Sequence, residues 1–295
     1  MMFVTGDTHG PDKLGYHSVD GFMPRFNSQN FPEQKEMEGD DNYVVICGDF
    51  GGVWETNRFC TEEPKKERYA LDWLDQKPFT TLVVPGNHEN YDRLTGITDK
   101  KLLNCWLYEK MPEAEKQKLR EGYPRAVWNG GFVRVLRPHV LMLEPGVFTI
   151  HGKKCFVYGG ARCHDIQDGV LNPADYASEN EFKEAYDRSY EKGLLFRVKG
   201  ISWWEQEEPG EEVEDAAWKM LDAAGWKVDY VFTHDRPISD RILLGYPEET
   251  RIISFLERVK QRLDYRHWFF GHLHENRTLP GGKEHVLYEQ LIRIM

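Results

Sequence analysis

Five short segments of the sequence combine glycine or threonine with residue types that bind metal ions. Each follows an apolar run that is typical of a buried strand. The segments are Gly-Asp-Thr-His-Gly at 6–10, Gly-Asp-Phe-Gly-Gly at 48–52, Gly-Asn-His-Glu at 86–89, Thr-His-Asp at 233–235 and Gly-His-Leu-His at 271–274. Imidazole, carboxylate and amide oxygen atoms together suit divalent transition-metal ions. The pattern therefore predicts a metal centre built from strand ends.

The segment around Asp49 organises this prediction, because it follows the β-branched run of residues 43–47 directly. Ligands of open α/β sheets collect at the carboxyl ends of the strands. A lone aspartate there could simply cap the backbone amides of a turn, but the other four segments favour a shared site. Since residues i and i+2 of an extended segment point the same way, Asp7 with His9, and His272 with His274, are expected to face one site.

The ordered set Asp-x-His, Gly-Asp, Gly-Asn-His-Glu, an isolated His and Gly-His-x-His resembles the calcineurin-like metallophosphoesterase superfamily, from Asp7 to His274. The resemblance implies hydrolysis of a phosphomonoester or phosphodiester by metal-activated hydroxide, at two ions about 3.5–4 Å apart. A finer resemblance, to a bacterial and prophage-type branch, lies in the Gly-Gly-Ala of residues 159–161, in Asp165 and in Trp203 and Trp204. These two tryptophans are expected to cover the core rather than to stack on bases.

The resemblance also implies a role for each ligand. Asp49 would bridge the two ions. Asp7, His9 and His274 would bind one ion. Asn87, His234 and His272 would bind the other. This mixed ligand set favours Mn²⁺, with Fe, Zn²⁺ or Ni²⁺ as alternatives, over Ca²⁺.

Two further assignments concern the substrate. His88 follows Asn87 directly, so its side chain is expected to point toward the substrate, and the matching histidine of the family protonates the leaving oxygen or stabilises developing charge. Phosphoprotein phosphatases of the family carry an additional Asp-Arg pair after the Gly-Asp segment, which residues 48–52 lack. Arg162 and Arg236, each in a loop at a predicted strand end, are therefore the candidate phosphate-binding residues.

The 295 residues carry a formal net charge of −11 and are 40% hydrophobic. If residues 7 and 274 share one site, residues 1–295 form one domain, with insertions near 11–42, 99–130 and 164–205. The acidic charge argues against binding of extended nucleic acid and favours a small phosphoester or an exposed phosphate group as the partner. No signal peptide or membrane span is visible, and five cysteines without a Cys-x-x-Cys pair favour reduced thiols, so a cytoplasmic location is expected.

Periodicity predicts helices over 63–76, 109–121, 173–192, 210–224 and 249–263, antiparallel strands over 132–160 and a last strand over 285–294. Tyr69 and Trp73 are expected to face the core. The resemblance implies an α/β fold in which two mixed β-sheets pack as a sandwich flanked by helices.

Two alternatives to a general phosphoesterase stay open. One is a nuclease or cyclic-nucleotide phosphodiesterase, and the other is a non-catalytic binding scaffold on the same fold. Because all seven ligands and His88 are present, a scaffold that has lost its chemistry is the less favoured alternative. Metal analysis separates the enzymes from the scaffold, whereas the oligomeric state has no sequence signal.

Overall fold

The computed structural model describes residues 1–11, 21–55, 63–245 and 249–295. Within these residues the strands are β1 Met2–Thr5, β2 Tyr43–Cys47, β3 Thr80–Val84, β4 Arg125–Trp128, β5 Gly131–Arg137, β6 Val140–Leu143, β7 Gly146–Ile150, β8 Lys153–Tyr158, β9 Val170–Leu171, β10 Arg197–Val198, β11 Tyr230–Thr233, β12 His267–Phe270, β13 Arg277–Thr278, β14 Glu284–Val286 and β15 Ile292–Arg293. All five apolar runs that precede the predicted metal-binding segments are strands.

The described α-helices are α1 Phe22–Arg25, α2 Lys65–Asp75, α3 Tyr91–Leu94, α4 Lys100–Leu103, α5 Glu113–Glu121, α6 Glu179–Glu191, α7 Glu211–Ala223, α8 Ile238–Leu243 and α9 Arg251–Lys260. Short 3₁₀ helices cover Pro32–Glu36, His164–Ile166, Pro173–Asp175 and Glu205–Glu207. The five predicted helices correspond to α2, α5, α6, α7 and α9, each shorter than predicted, because helix ends are poorly marked by periodicity. None of the residues of α5 is buried, as expected for a charged surface helix.

Two large mixed sheets form the centre of the fold. The first has seven strands in the order β15-β1-β2-β3-β6-β5-β4, in which β1, β2, β3 and β6 are parallel. The second has six strands in the order β13-β14-β12-β11-β8-β7, in which β14, β12, β11 and β8 are parallel. Edge strands pair antiparallel in both sheets.

The sheets pack face to face over a shared apolar core. Alternation along β2 sends Val45 and Cys47 inward, where they join Val157 and Phe232 of the second sheet. Val44 and Ile46 point outward and are covered by residues of α2 and of the 22–37 segment. Helices α7 and α9 cover the outer face of the second sheet. The fold is therefore the predicted sandwich of two mixed sheets flanked by helices.

Two details of the sequence-based prediction were wrong, and a third was confirmed. The last strand over 285–294 is two short strands, β14 and β15, which lie in different sheets. The strands of 132–160 do pair antiparallel, β5 with β6 in the first sheet and β7 with β8 in the second. Tyr69 is 65% exposed, because α2 buries Ala70, Leu71 and Leu74 instead.

The three predicted insertions contain regular structure where they are described. The 11–42 segment contains α1, the 99–130 segment contains α4 and α5, and the 164–205 segment contains α6 and a small parallel sheet of β9 and β10. Four described cysteines are free thiols, and Cys60 lies outside the described residues. Among the described helices, none has both the length and the apolar character needed to cross a bilayer.

Candidate metal centre

The predicted metal-binding segments meet at one edge of the sandwich. Strands β1, β2 and β3 of the first sheet and β11 and β12 of the second are parallel within their sheets, and each is followed by one segment. Their carboxyl ends bring together Asp7, His9, Asp49, Asn87, His234, His272 and His274 from positions up to 267 residues apart in sequence. Aspartates, histidines and the asparagine form two adjacent groups there.

The first group consists of Asp7, His9 and His274, whose ligand atoms lie within 4.8 Å of one another. His9 Nε2 and His274 Nε2 are 2.7 Å apart, and Asp7 Oδ2 lies 3.2 Å from His274 Nε2. The Asp7 carboxylate is fully buried and also accepts the backbone N–H of His272 at 3.0 Å. These three side chains therefore converge on one point, as the ligands of one cation would.

The second group consists of Asp49, His234 and His272, and Asn87 adjoins it. His234 Nδ1 lies 3.0 Å from the carbonyl oxygen of Cys47. A carbonyl only accepts hydrogen bonds, so Nδ1 carries a proton and donates it. His234 Nε2 consequently faces the interior of the group, 3.2 Å from Asn87 Oδ1 and 3.3 Å from Asp49 Oδ1.

Asp49 lies between the two groups. Its Oδ2 is 3.8 Å from His9 Nε2 of the first group, and its Oδ1 is 3.3 Å from His234 Nε2 of the second. The carboxylate is only 2% exposed, and its Oδ1 also accepts the backbone N–H of His88 at 2.8 Å. Each oxygen of one side chain thus faces a different group.

Two glycines of the motifs are required by close packing around the carboxylates. A Cβ atom at Gly86 would overlap Asp49 Oδ1, and a Cβ atom at Gly271 would overlap Asp7 Oδ1. Any larger residue at either position would displace a proposed ligand. This packing explains why glycine precedes Asn87 and His272.

The backbone of the ligand segments is strained rather than extended. His9, Asp49, His272 and His274 have φ angles of 49°, 45°, 68° and 51°. Residues other than glycine rarely adopt this left-handed backbone conformation, and such strain clusters at functional sites. Asp7 and His9 share one ligand group, as expected, but a left-handed turn rather than an extended segment brings them together. His272 and His274 likewise both reach the centre, where they contribute to different groups.

Electrostatics in the centre match a site for cations. Burial raises the pKa of Asp49, but His234, His88 and His9 together hold it well below its usual range. Burial opposes protonation of His234, yet Asp49 raises its pKa to about 10. The pKa of His272 is lowered by burial and by His234 and Arg236. Two buried carboxylates surrounded by imidazole nitrogens and an amide oxygen fit divalent transition-metal ions.

Two side chains that the sequence did not assign hold these segments in place. Glu89 accepts the backbone N–H groups of Phe50 and Gly51, at 2.6 and 3.3 Å, and so fixes the turn after Asp49. Arg25, fully buried, donates to the carbonyl oxygens of Gly6 and Asp7 at 3.0 and 2.8 Å. Glu89 belonged to a recognised motif without a role, whereas nothing in the sequence distinguished Arg25.

The predicted substrate-binding residues lie in different environments. His88 is half-buried, with its ring centroid 5.3 Å from that of His9, and it lines a cavity of about 260 Å³. Arg162 is exposed and lines a second cavity of about 250 Å³, on the side of His272. Arg236 is fully buried and its guanidinium is 2.8 Å from Asp235 Oδ1. Because no part of Arg236 is exposed, the expectation that it contacts a substrate phosphate is not supported.

The chain is similar to one protein family and to solved structures of other proteins. The family description calcineurin-like phosphoesterase matches residues 2–276, which include all five segments. A phosphopantetheinyl hydrolase from Mycobacterium tuberculosis is 17% identical, with 98% of this chain and 89% of that chain aligned and a TM-score of 0.37. A candidate 5′-nucleotidase from Staphylococcus aureus, solved in complex with alpha-ketoglutarate, is 14% identical, with 97% and 48% aligned and a TM-score of 0.41. No curated protein matches the chain. Since the family match spans almost the whole chain and every segment of the centre, this protein belongs to the calcineurin-like phosphoesterase family.

Proposed function

We propose that this protein hydrolyses small phosphoesters with two divalent cations bound at the strand-end centre. The observation that carries the proposal is the position of Asp49, whose two oxygens face the two ligand groups at 3.8 and 3.3 Å. One shared carboxylate between two sets of ligands is what a pair of adjacent cations requires. Membership of a phosphoesterase family supports the same reaction class.

The ligands divide as the two groups suggest. Asp7, His9 and His274 would hold one cation, Asn87, His234 and His272 the other, and Asp49 both. A pair of divalent cations supplies Lewis acidity toward the phosphoryl oxygens and a nucleophile at neutral pH. Mn²⁺ is the proposed metal, with Fe, Zn²⁺ and Ni²⁺ as alternatives.

His88 is the proposed general acid. Its backbone N–H is bound to Asp49 Oδ1 at 2.8 Å, whereas its ring contacts the ring of His9 and lines the 260 Å³ cavity. The preceding residue, Asn87, turns its side-chain oxygen toward His234 at 3.2 Å. The two neighbours therefore serve different partners, and the His88 ring can give a proton to the oxygen that leaves phosphorus.

Arg162 is the proposed phosphate-binding residue. It is exposed in the cavity that also contains His272, so an anion near the second group lies within reach of a flexible guanidinium.

The net charge of −11 disfavours long polyanions and supports a small or terminal phosphate as substrate. We also propose that residues 1–295 act as one domain and that the protein is cytoplasmic.

A metal and substrate screen tests the function. Elemental analysis after incubation with Mn²⁺ and desalting is expected to yield close to two ions per chain, and a Mn²⁺-loaded sample is expected to hydrolyse phosphomonoesters or phosphodiesters. Rates with plasmid DNA or cyclic nucleotides above those with small acyclic esters would favour the nuclease or cyclic-nucleotide phosphodiesterase. Two bound ions without turnover of any ester would favour the non-catalytic scaffold, and absence of bound metal would refute the metal centre.

A further inference from the structure

The side chain of Trp54 forms one wall of the cavity beside His88. Trp54 is half-buried, and its ring centroid lies 5.7 Å from that of His88 at an interplanar angle of 38°. The ring also makes a T-shaped contact with the buried Trp204, with a centroid distance of 5.4 Å and an interplanar angle of 76°. The indole of Trp54 therefore packs against one buried aromatic ring and also lines the cavity.

The backbone that carries Trp54 is fixed by four separate contacts. Glu67 accepts the N–H groups of Trp54 and Glu55 at 2.8 and 2.6 Å. Asn90 donates its side-chain amide to the carbonyl of Trp54 at 3.2 Å and its backbone N–H to Val53 at 3.0 Å. Because Asn90 is three residues after Asn87, the segment that supplies a ligand also positions the tryptophan. Such preorganisation lowers the entropic cost of binding to the ring.

Three aromatic side chains, His9, His88 and Trp54, form a continuous row of ring contacts that begins at the metal centre. His9 belongs to the first ligand group, His88 follows at a centroid distance of 5.3 Å, and Trp54 follows His88 at 5.7 Å. A substrate phosphorus at the cations would direct its leaving oxygen toward His88. The rest of the leaving group would then extend along the indole of Trp54.

The size and lining of the cavity limit what it can bind. Its volume is about 260 Å³, and its walls include Gly10, Pro11 and Gly51, which offer little side-chain bulk. Pockets that enclose whole drug-sized ligands occupy about 300–1,000 Å³, so this one suits a single ring system. Glu67 also lines the cavity, and its carboxylate is already bound to backbone amides and to Arg93.

From these observations we infer that the enzyme acts on nucleotides or similar esters whose leaving group carries a planar aromatic ring, and that Trp54 binds this ring by stacking. The inference rests on the proposed function, because it assigns the leaving-group side of the same centre. Stacking on an aromatic side chain tolerates any base, since every base has a π-face. Trp54 therefore selects for an aromatic ring and leaves the choice among bases open.

The test compares two esters that differ only in the base. Adenosine 5′-monophosphate and ribose 5-phosphate share a leaving oxygen of the same type, so a difference in kcat/KM reports on the base. We expect the Mn²⁺-loaded wild type to prefer the nucleotide, and the substitution Trp54→Leu to reduce this preference by about 5- to 150-fold, the range for losing one base–aromatic stack. Trp54→Phe, which keeps a flat ring, should retain most of the preference.

Controls separate stacking from a loss of structure. Tyr190→Leu removes an aromatic ring that is 73% exposed on α6, and it should leave the preference unchanged. Metal content and thermal unfolding are measured for every variant. Equal kcat/KM for both esters in the wild type, or equal losses for both in Trp54→Leu, would overturn the inference.

Failure of the proposed function gives a different result. If the Mn²⁺-loaded protein hydrolyses no ester of the substrate screen, the catalytic proposal fails, and calorimetric titration with the same two compounds then tests Trp54 alone. Turnover of other small esters but of neither of these two would overturn the inference and leave the catalytic proposal standing. A nucleotide that binds no more tightly than ribose 5-phosphate overturns the stacking role. Tighter nucleotide binding that Trp54→Leu abolishes and Trp54→Phe preserves would support it without catalysis.

Discussion

Replacing Asp49 by asparagine should weaken both cation sites together. The change keeps the shape of the side chain and removes one negative charge, which is 2% exposed and has one oxygen toward each ligand group. At about 4 Å and an effective dielectric constant of about 20, one pair of unit charges contributes about 4 kcal/mol. This free energy corresponds to about a thousandfold in Kd, and we expect a loss of this order for each ion.

Equilibrium dialysis against graded Mn²⁺ concentrations, followed by elemental analysis, measures the loss. Asp229→Asn is the matched control, because Asp229 is half-buried, lies just before β11 and pairs with Lys153 away from the centre. His9→Ala, which removes a ligand from the first group only, should weaken one ion more than the other. If Asp49→Asn loses a single ion and binds the second with wild-type affinity, the carboxylate is not shared and the reasoning is refuted.

Three further predictions concern catalysis and stability. His88→Ala should keep two Mn²⁺ ions and lose turnover by a factor on the order of 10² to 10⁴, and this loss should be smaller for substrates with a nitrophenol leaving group. Asn87→Ala should instead lose metal affinity first. Loss of metal in His88→Ala would contradict this separation of roles. Burial raises the pKa of Glu207 from 4.5 to about 9, so the folded protein retains a proton that the unfolded chain releases, and this contribution to stability disappears as pH rises between these values. Urea unfolding of the wild type and of Glu207→Gln, both in the presence of a metal chelator, measures this contribution. Relative to the variant, the wild type should lose up to about 1.4 kcal/mol of unfolding free energy for each pH unit in that window. Parallel pH profiles of the two proteins would exclude the effect. Glu67→Ala breaks the buried ion pair with Arg93 and should cost about 3–5 kcal/mol of unfolding free energy. Glu113→Ala removes an exposed pair with Arg120 and should cost far less. Equal costs by chemical denaturation would show that burial of the pair does not matter.

The sequence contained enough local information to identify the five strands that precede the metal-binding segments. The run of residues 43–47 predicts a buried strand because apolar β-branched residues without charge suit a sheet that is covered on both faces. The metal-binding residue types directly after such runs indicate a site because parallel strands end at a common edge. The charged composition of residues 109–121 also predicted a solvated helix, which corresponds to α5.

Tertiary structure alone decided how these elements are combined. The hairpins of β5–β6 and β7–β8 have similar local patterns, yet they belong to different sheets, because strand pairing is a long-range choice that period-two alternation does not encode. His272 and His274 join different ligand groups and both have left-handed backbone conformations, which alternation along an extended segment does not describe.

The same limit applies to the residues around the centre. Glu89 contacts the turn after Asp49 across 39 residues of sequence, and Arg25 contacts the loop of Asp7. Trp54 lies beside His88 only because Glu67 and Asn90 hold its backbone there. The sequence thus determined the chemistry that the centre can hold. Its geometry and the wall that faces the leaving group depend on contacts between distant segments, for which neither composition nor spacing carries a signal.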